Sequence, residues 1–339
     1  MTDDVTRDLV LPMSELGTID EAAALARDAE GLGYAQLTTG ETTGRNVLPV
    51  LAVLAERTDS IGLSEHVLSP WSRSPALLGQ SAVTLAELSD GRFRLGLGAS
   101  SPPLAERWHA TAFDRPLRRL RECIEIVRLV QSGDSVDYDG AIYEMGGLSL
   151  ECSPPDESVP VDVSALGPTA TELAGRFGDG WTPQLLPLDG LEDRLDDLGR
   201  GAELGDRSVD DVRVAPTVRC CVTEDGDRAR RYASMHVAFM VARYGPYYRE
   251  AVADGGWPEV AEAVVDAWDE GGMATAAEQV PRELLDDLVA AGTAEEARAS
   301  LERFEAVDGV DATQVGFVGR LSEEDRARTL EALAPDGAV

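Results

Sequence analysis

Ile61-Gly-Leu-Ser-Glu-His-Val-Leu-Ser-Pro70, followed by Gly91-Arg-Phe-Arg-Leu-Gly-Leu-Gly-Ala-Ser100, is the stretch that decides the fold. Two short β-type runs, Ile61–Leu68 and Phe93–Leu97, flank a segment in which Leu77, Leu78, Ala82, Leu85 and Leu88 recur at helical spacing. Strand, helix and strand of these lengths make a βαβ unit. Its strands are parallel, because a crossover of this kind packs back on the sheet in the right-handed sense and returns the chain in the same direction. Both strands then end on one edge, where Glu65, His66 and Ser69 follow the first and Ser100 and Ser101 the second.

The same alternation extends outward in both directions. Further strands are read at Leu9–Leu11, Tyr34–Thr39, Val159–Ala165, Gly178–Thr182, Val212–Val222 and Ala312–Val318, with helical segments between them. Thr18 and Thr293 stand where N-caps belong, each followed by acids in the first turn. Strands alternating with helices in this number predict an α/β fold, a (β/α)8 TIM barrel filling a single domain over 1–339. Two segments do not fit the repeat. Residues 136–150 read as a hairpin insertion, and 225–288 as a helical insertion before the last strand, rich in tyrosine and tryptophan.

Composition narrows the function. Acidic residues number 62 against 30 basic ones, all of them arginine, for a formal net charge of −32. Nucleic acid and anionic membranes need basic patches, so neither is expected as a partner. The acid surface instead suits a halophilic protein, since salt screens its self-repulsion. Met1–Arg7 is polar and acidic, which predicts no signal peptide, and the apolar run Val237–Ala242 is far short of a membrane span. A cytoplasmic location is expected. Cys123, Cys152, Cys220 and Cys221 lack zinc-type spacing and are read as free buried thiols, and no metal site is expected.

In a barrel of this class the chemistry sits at the C-terminal ends of the strands. Four groups fall there: Glu41, His66–Val67, Ser100–Ser101 with His109, and Ser164-Ala165-Leu166-Gly167. Taken singly, a loop glutamate is a solvated side chain and a histidine after a strand a packed one. The corner Gly167-Pro168-Thr169 is a helix start whose free N–H groups could face an anion. Convergence of the four on one edge is the stronger argument.

Ala86-Glu-Leu-Ser-Asp-Gly-Arg-Phe-Arg-Leu-Gly-Leu-Gly-Ala-Ser100, Arg73-Ser-Pro75, Ala165-Leu-Gly-Pro168 with Glu172-Leu-Ala-Gly175, and Gly178-Asp-Gly-Trp181 resemble the bacterial luciferase-like superfamily. The likeness is greatest to its branch that uses the deazaflavin coenzyme F420, including archaeal methylenetetrahydromethanopterin reductases, and with the acid surface it suggests a haloarchaeal source. The resemblance implies a luciferase-like barrel holding the coenzyme across the C-terminal face, against a non-prolyl cis peptide after the third strand, here His66–Val67. It implies Ser100 and Ser101 at the ring edge, Ser164, Ala165, Leu166 and Gly167 on the coenzyme phosphate, and Glu41 beside the ring.

The activity it implies is hydride transfer between the deazaflavin and a small organic substrate, with Glu41 or His109 as the catalytic proton donor or acceptor and Trp71 and Trp108 as pocket walls. An FMN-dependent two-component monooxygenase is the alternative, and a barrel that has lost turnover the second. Departures bear on the substrate: Leu9-Val10-Leu11 has no acid where the methanopterin reductases carry a glutamate. The resemblance also implies phosphate contacts from lysine, absent here, which leaves backbone donors, Ser164 and arginines such as Arg45 or Arg73. A homodimer or higher homo-oligomer is expected, with Arg115–Gln131 as a candidate face.

Overall fold

The computed structural model describes residues 5–319 and 321–335. In chain order the strands are β1 (Thr6–Val10), β2 (Gln36–Thr39), β3 (Gly62–Glu65), β4 (Phe93–Gly98), β5 (Val136–Asp139), β6 (Glu144–Leu148), β7 (Val161–Ser164), β8 (Gly180–Trp181), β9 (Arg213–Val214), β10 (Thr217–Val222), β11 (Val289–Gly292) and β12 (Ala312–Phe317). The antiparallel pair β5–β6 forms a separate hairpin. The other ten lie in one sheet, ordered β11-β10-β12-β1-β2-β3-β4-β7-β8-β9, with every pairing parallel.

That sheet curls back on itself. β9 and β10 are halves of one stretch, separated at Ala215–Pro216, where proline offers no N–H to a ladder. The first half pairs with β8 and the second with β12, which pairs with β1 along Thr6↔Ala312 to Val10↔Gly316. Counting β9 and β10 as one and setting aside β11, an added neighbour of β10, leaves the eight strands of a (β/α)8 barrel from the ten in the sheet.

Strand alternation sorts the side chains. Leu9, Leu37, Leu63, Leu95 and Val161 are wholly buried between strands and helices. Their neighbours point inward: Asp8 of β1 meets Arg213 of β9 at 2.8 and 3.0 Å, across the interior past β12, and Gln36 Nε2 donates to Ser64 Oγ at 3.0 Å. Charged and polar pairs thus plug the barrel below the mouth. Around it, Thr18, Asn46, Ser74 and Thr293 cap the helices Ile19–Gly31, Val47–Ala55, Pro75–Leu88 and Ala294–Glu305 through their side-chain oxygens, the last in a capping box with Glu296.

Several boundaries differ from the sequence reading. The first strand begins at Thr6 rather than Leu9, so it does contain an acid, Asp8, committed to Arg213 below the mouth. β11 was not expected, because Val289-Ala-Ala-Gly292 has no alternation and its alanines favour helix; burial of all four residues overrides propensity. The insertion over 225–288 is helical, built from Gly226–Phe239, Pro246–Asp254, Pro258–Gly271, Met273–Ala277 and Arg282–Leu288, with a wide helical turn at Met240–Tyr244. Cys123, Cys220 and Cys221 are buried, but Cys152 is exposed on the loop between the hairpin and β7.

Candidate functional site

The site starts with a break in the third strand. β3 follows β4 in register, and the Leu63 N–H donates to Arg92 O at 3.0 Å. Beyond Ser64 the chain swings out, and the Gly96 N–H is met by Glu65 Oε1 at 2.9 Å. The ladder resumes at Leu68, whose N–H donates to Gly96 O at 2.9 Å. In the gap lies the cis peptide His66–Val67, where the resemblance places it. The two glycines of Leu-Gly-Leu-Gly98 make room for it: a Cβ at residue 96 would stand 1.8 Å from Glu65 O, and one at residue 98 2.5 Å from a Val67 methyl.

The displaced His66 is fixed from three sides. Its Nε2 lies 3.0 Å from Thr182 O and 3.3 Å from Ser164 Oγ, and its Nδ1 3.3 Å from Thr217 Oγ1. Thr182 O can only accept, so Nε2 carries the proton. Burial, only partly offset by that carbonyl, pushes the imidazole pKa down to about 4, so His66 is neutral at ordinary pH.

Above it opens a cavity of about 1610 Å³ at the C-terminal mouth of the barrel. It brings together nine of the ten residues expected at the site: Glu41, His66, Val67, Ser100, Ser101, Ser164, Ala165, Leu166 and Gly167. His109 is the exception. It caps the wide helical turn Pro103–Trp108, its N–H donating to Leu104 O, and it is not among the cavity-lining residues. Trp71 and Trp108 do not line the cavity either; Trp71 stacks on Phe113 and donates to Ala112 O, and Trp108 is 58% exposed.

Each lining group has a defined state. Glu41 accepts from Arg73 at 2.6 and 2.8 Å and from the Val47 N–H at 3.0 Å. Burial opposes its charge, but these donors outweigh it and hold its pKa below the usual carboxylate value. Arg73 is thereby committed, and does not line the cavity. Arg45 does, and gives its N–H groups to the carbonyls of Met13, Leu16 and Gly17. Ser164 Oγ donates to Thr182 O at 3.0 Å. Ser100, in the left-handed region at φ 63°, carries a buried hydroxyl with no partner among the described residues. Gly167 caps the helix Pro168–Phe177, and Gly167 to Ala170 line the cavity, so the unpaired N–H groups of that first turn open onto it.

The sequence reading singled out the aromatic residues of the insertion but missed the polar residues of the opposite wall. Arg219, Gln184 and His236 line it, with Phe239, Tyr244 and Tyr248 from the helical insertion. One signal was available: Arg219 is the single charged residue in the strand Thr217-Val-Arg-Cys-Cys-Val222. Nothing local marked His236, because its position depends on how the insertion packs on β10 and β11.

Comparison with known proteins gives this arrangement a context. Over residues 6–311 the chain matches the family described as luciferase-like monooxygenase. It is 32% identical over 293 residues to a 5,10-methylenetetrahydromethanopterin reductase of Archaeoglobus fulgidus, covering 86% of each chain. It is 29% identical over 302 residues to a Mycobacterium tuberculosis protein that carries the name coenzyme F420-dependent oxidoreductase, covering 84% of this chain and 87% of that one. The solved structure of a coenzyme F420-dependent tetrahydromethanopterin reductase from Methanopyrus kandleri superposes with a TM-score of 0.83 over 98% of both chains, at 21% identity. A barrel with these neighbours, matched along most of its length, belongs to the luciferase-like monooxygenase family.

Proposed function

We propose that this protein is a coenzyme F420-dependent oxidoreductase that moves a hydride between the deazaflavin and a small organic substrate. The observation that carries the reading is the single mouth cavity, which unites the His66–Val67 segment, the unpartnered Ser100 hydroxyl and an open helix N-terminus, at a volume well above the roughly 300–1,000 Å³ of a pocket for one drug-sized ligand. Relatives matched along most of the chain, one named for coenzyme F420, support it.

The residues present fit the coenzyme. The first turn of Pro168–Phe177 would take its phosphate through backbone N–H groups, which suits a chain without lysine. The bulged segment at His66–Val67 would support the ring, and Ser100 Oγ would meet a polar atom at its edge. When bound, the deazaflavin supplies the carbon that gives or takes the hydride. The protein orients the reactants and excludes water.

Glu41 enters this reading as a fixed anion, not as a proton donor. Its carboxylate is held ionised while it anchors Arg73 and the start of the helix Val47–Ala55. His66 is neutral, and its Nε2 proton is tied to Thr182 O, so it positions rather than transfers.

The test is binding by absorbance and fluorescence in parallel titrations with coenzyme F420 and with FMN. Saturable binding of coenzyme F420 with FMN weaker by about tenfold or more is expected. The reverse order would favour an FMN-dependent monooxygenase, and indifference to both would leave a barrel without redox function.

A further inference from the structure

The cavity has two unlike halves. Above β2, β3, β4 and β7 lie Glu41, His66–Val67, Ser100 and the start of Pro168–Phe177, the groups given to the coenzyme. Above β10, β12 and β1 there is a guanidinium and an imidazole, neither of which that role uses.

Arg219 sits two residues beyond Thr217 on the same face of β10, so it stands nearer the mouth than the His66 layer. Among the described residues its guanidinium donates only to neutral oxygens, Gln184 Oε1 at 2.7 Å and Phe317 O at 3.3 Å. Its Nε is buried without a partner, and it forms no ion pair with any described carboxylate. A Cβ at Gly316 would come within 3.1 Å of Nη1, so the absence of a side chain there opens the berth.

No acid lining the cavity is paired with Arg219, although Glu15 favours its charge at longer range. Glu41 is paired to Arg73, Glu15 reaches Arg326 at 3.7 Å, and Glu250 is exposed on Pro246–Asp254. A largely buried cation without a counter-charge is costly, unless a ligand brings one.

His236 reaches the same half from the helix Gly226–Phe239, and its Nε2 is buried without a partner among the described residues. Burial, with Arg219 nearby as the second cause, pushes its pKa down to about 3. It is therefore a neutral ring that can donate one N–H. Beside it, Phe239 and Tyr244 meet edge-on at 6.0 Å and are 37% and 47% exposed, giving an apolar wall.

We infer that Arg219 and His236 form the recognition site for an oxyanion, carboxylate or phosphate, on a substrate whose apolar body lies against Phe239 and Tyr244. This deepens the proposed function, and rests on it for the placement of the coenzyme in the other half. Arg219 supplies charge and several donors, and His236 one further donor at an angle to them.

Benzoate, phenyl phosphate and the neutral benzyl alcohol serve as probes, titrated calorimetrically at fixed salt with and without saturating coenzyme F420. In wild type at least one of the two anions is expected to bind about tenfold or more tighter than benzyl alcohol, and Arg219→Gln and His236→Gln to remove that preference while coenzyme affinity stays within about twofold. Which anion wins names the group. Arg219→Lys covers the case in which Arg219→Gln does not fold; it keeps the charge but not the fork, and should retain part of the preference. The inference falls if wild type shows no preference for either anion, if the preference survives both substitutions to Gln, or if coenzyme affinity drops as far as probe affinity. Failure of wild type to bind coenzyme F420 would overturn the proposed function instead, while the titrations without coenzyme still decide the role of Arg219.

Discussion

Glu65 is the side chain on which the departure of the third strand turns. Its Oε1 replaces the backbone acceptor that Gly96 loses where the strand swings out, and its Oε2 has no partner among the described residues. Burial raises its pKa well above the ordinary 4.5, against the lowering effect of the Gly96 N–H, so the folded protein keeps a proton that the unfolded chain releases. For an acid with a raised native pKa, the contribution to stability is intact below the unfolded value near 4.5 and is lost as pH climbs towards the native one. Glu65→Gln keeps an acceptor and cannot ionise. Its stability relative to wild type is therefore expected to improve as pH rises above the unfolded value near 4.5, read from denaturant midpoints at each pH. Glu65→Leu orphans the Gly96 N–H and should cost about 1–3 kcal/mol. A Glu65→Gln difference flat with pH would mean that the buried acid is already ionised.

At the level of elements, the bulge and the glycines of β4 are a matched pair. Gly96→Ala sets a methyl against the carbonyl of Glu65, a backbone atom that cannot rotate aside. A loss of about 3 kcal/mol or more, or failure to fold, is expected in thermal melts, because overpacking at a fixed wall is not relieved by rotamer changes. A melting temperature equal to wild type would show that the bulge yields. The pairing explains what could be read in advance. Leu-Gly-Leu-Gly98 stood out because its spacing serves a backbone neighbour, and the capping residues Thr18 and Thr293 stood out because caps act within a few residues. The expected mouth residues came from strand ends, which local pattern does mark. Pattern failed where tertiary contact decides: β11 is strand only because it lies beside β10, and His109 follows a strand yet lies outside the cavity lining because Pro103–Trp108 coils before it. The wall formed by Arg219 and His236 depends on helices folding back over the barrel.

Across the whole molecule the dominant quantity is charge. A net −32 on 339 residues makes the folded surface repel itself, and the repulsion shrinks as the screening length falls. Moving from about 0.1 M to about 2 M salt, where that length drops from about 10 Å to a few ångströms, is expected to raise the melting temperature by about 5 °C or more. Sodium and potassium chloride should act alike if screening is the cause; a flat profile would show that the carboxylates do not burden the fold.

The pairing of β1 with β12 carries a further consequence, for synthesis. Thr6 to Val10 find their second neighbour only in Ala312 to Gly316, about 300 residues further along the chain. At about 5–20 residues per second, the growing polypeptide exposes one bare strand margin for tens of seconds. During that wait a second nascent copy offers the same hydrogen-bonding template, so the hazard lies between chains translated side by side. A permuted gene that places the segment carrying 312–316 directly before the one carrying 6–10 would let these two strands emerge together.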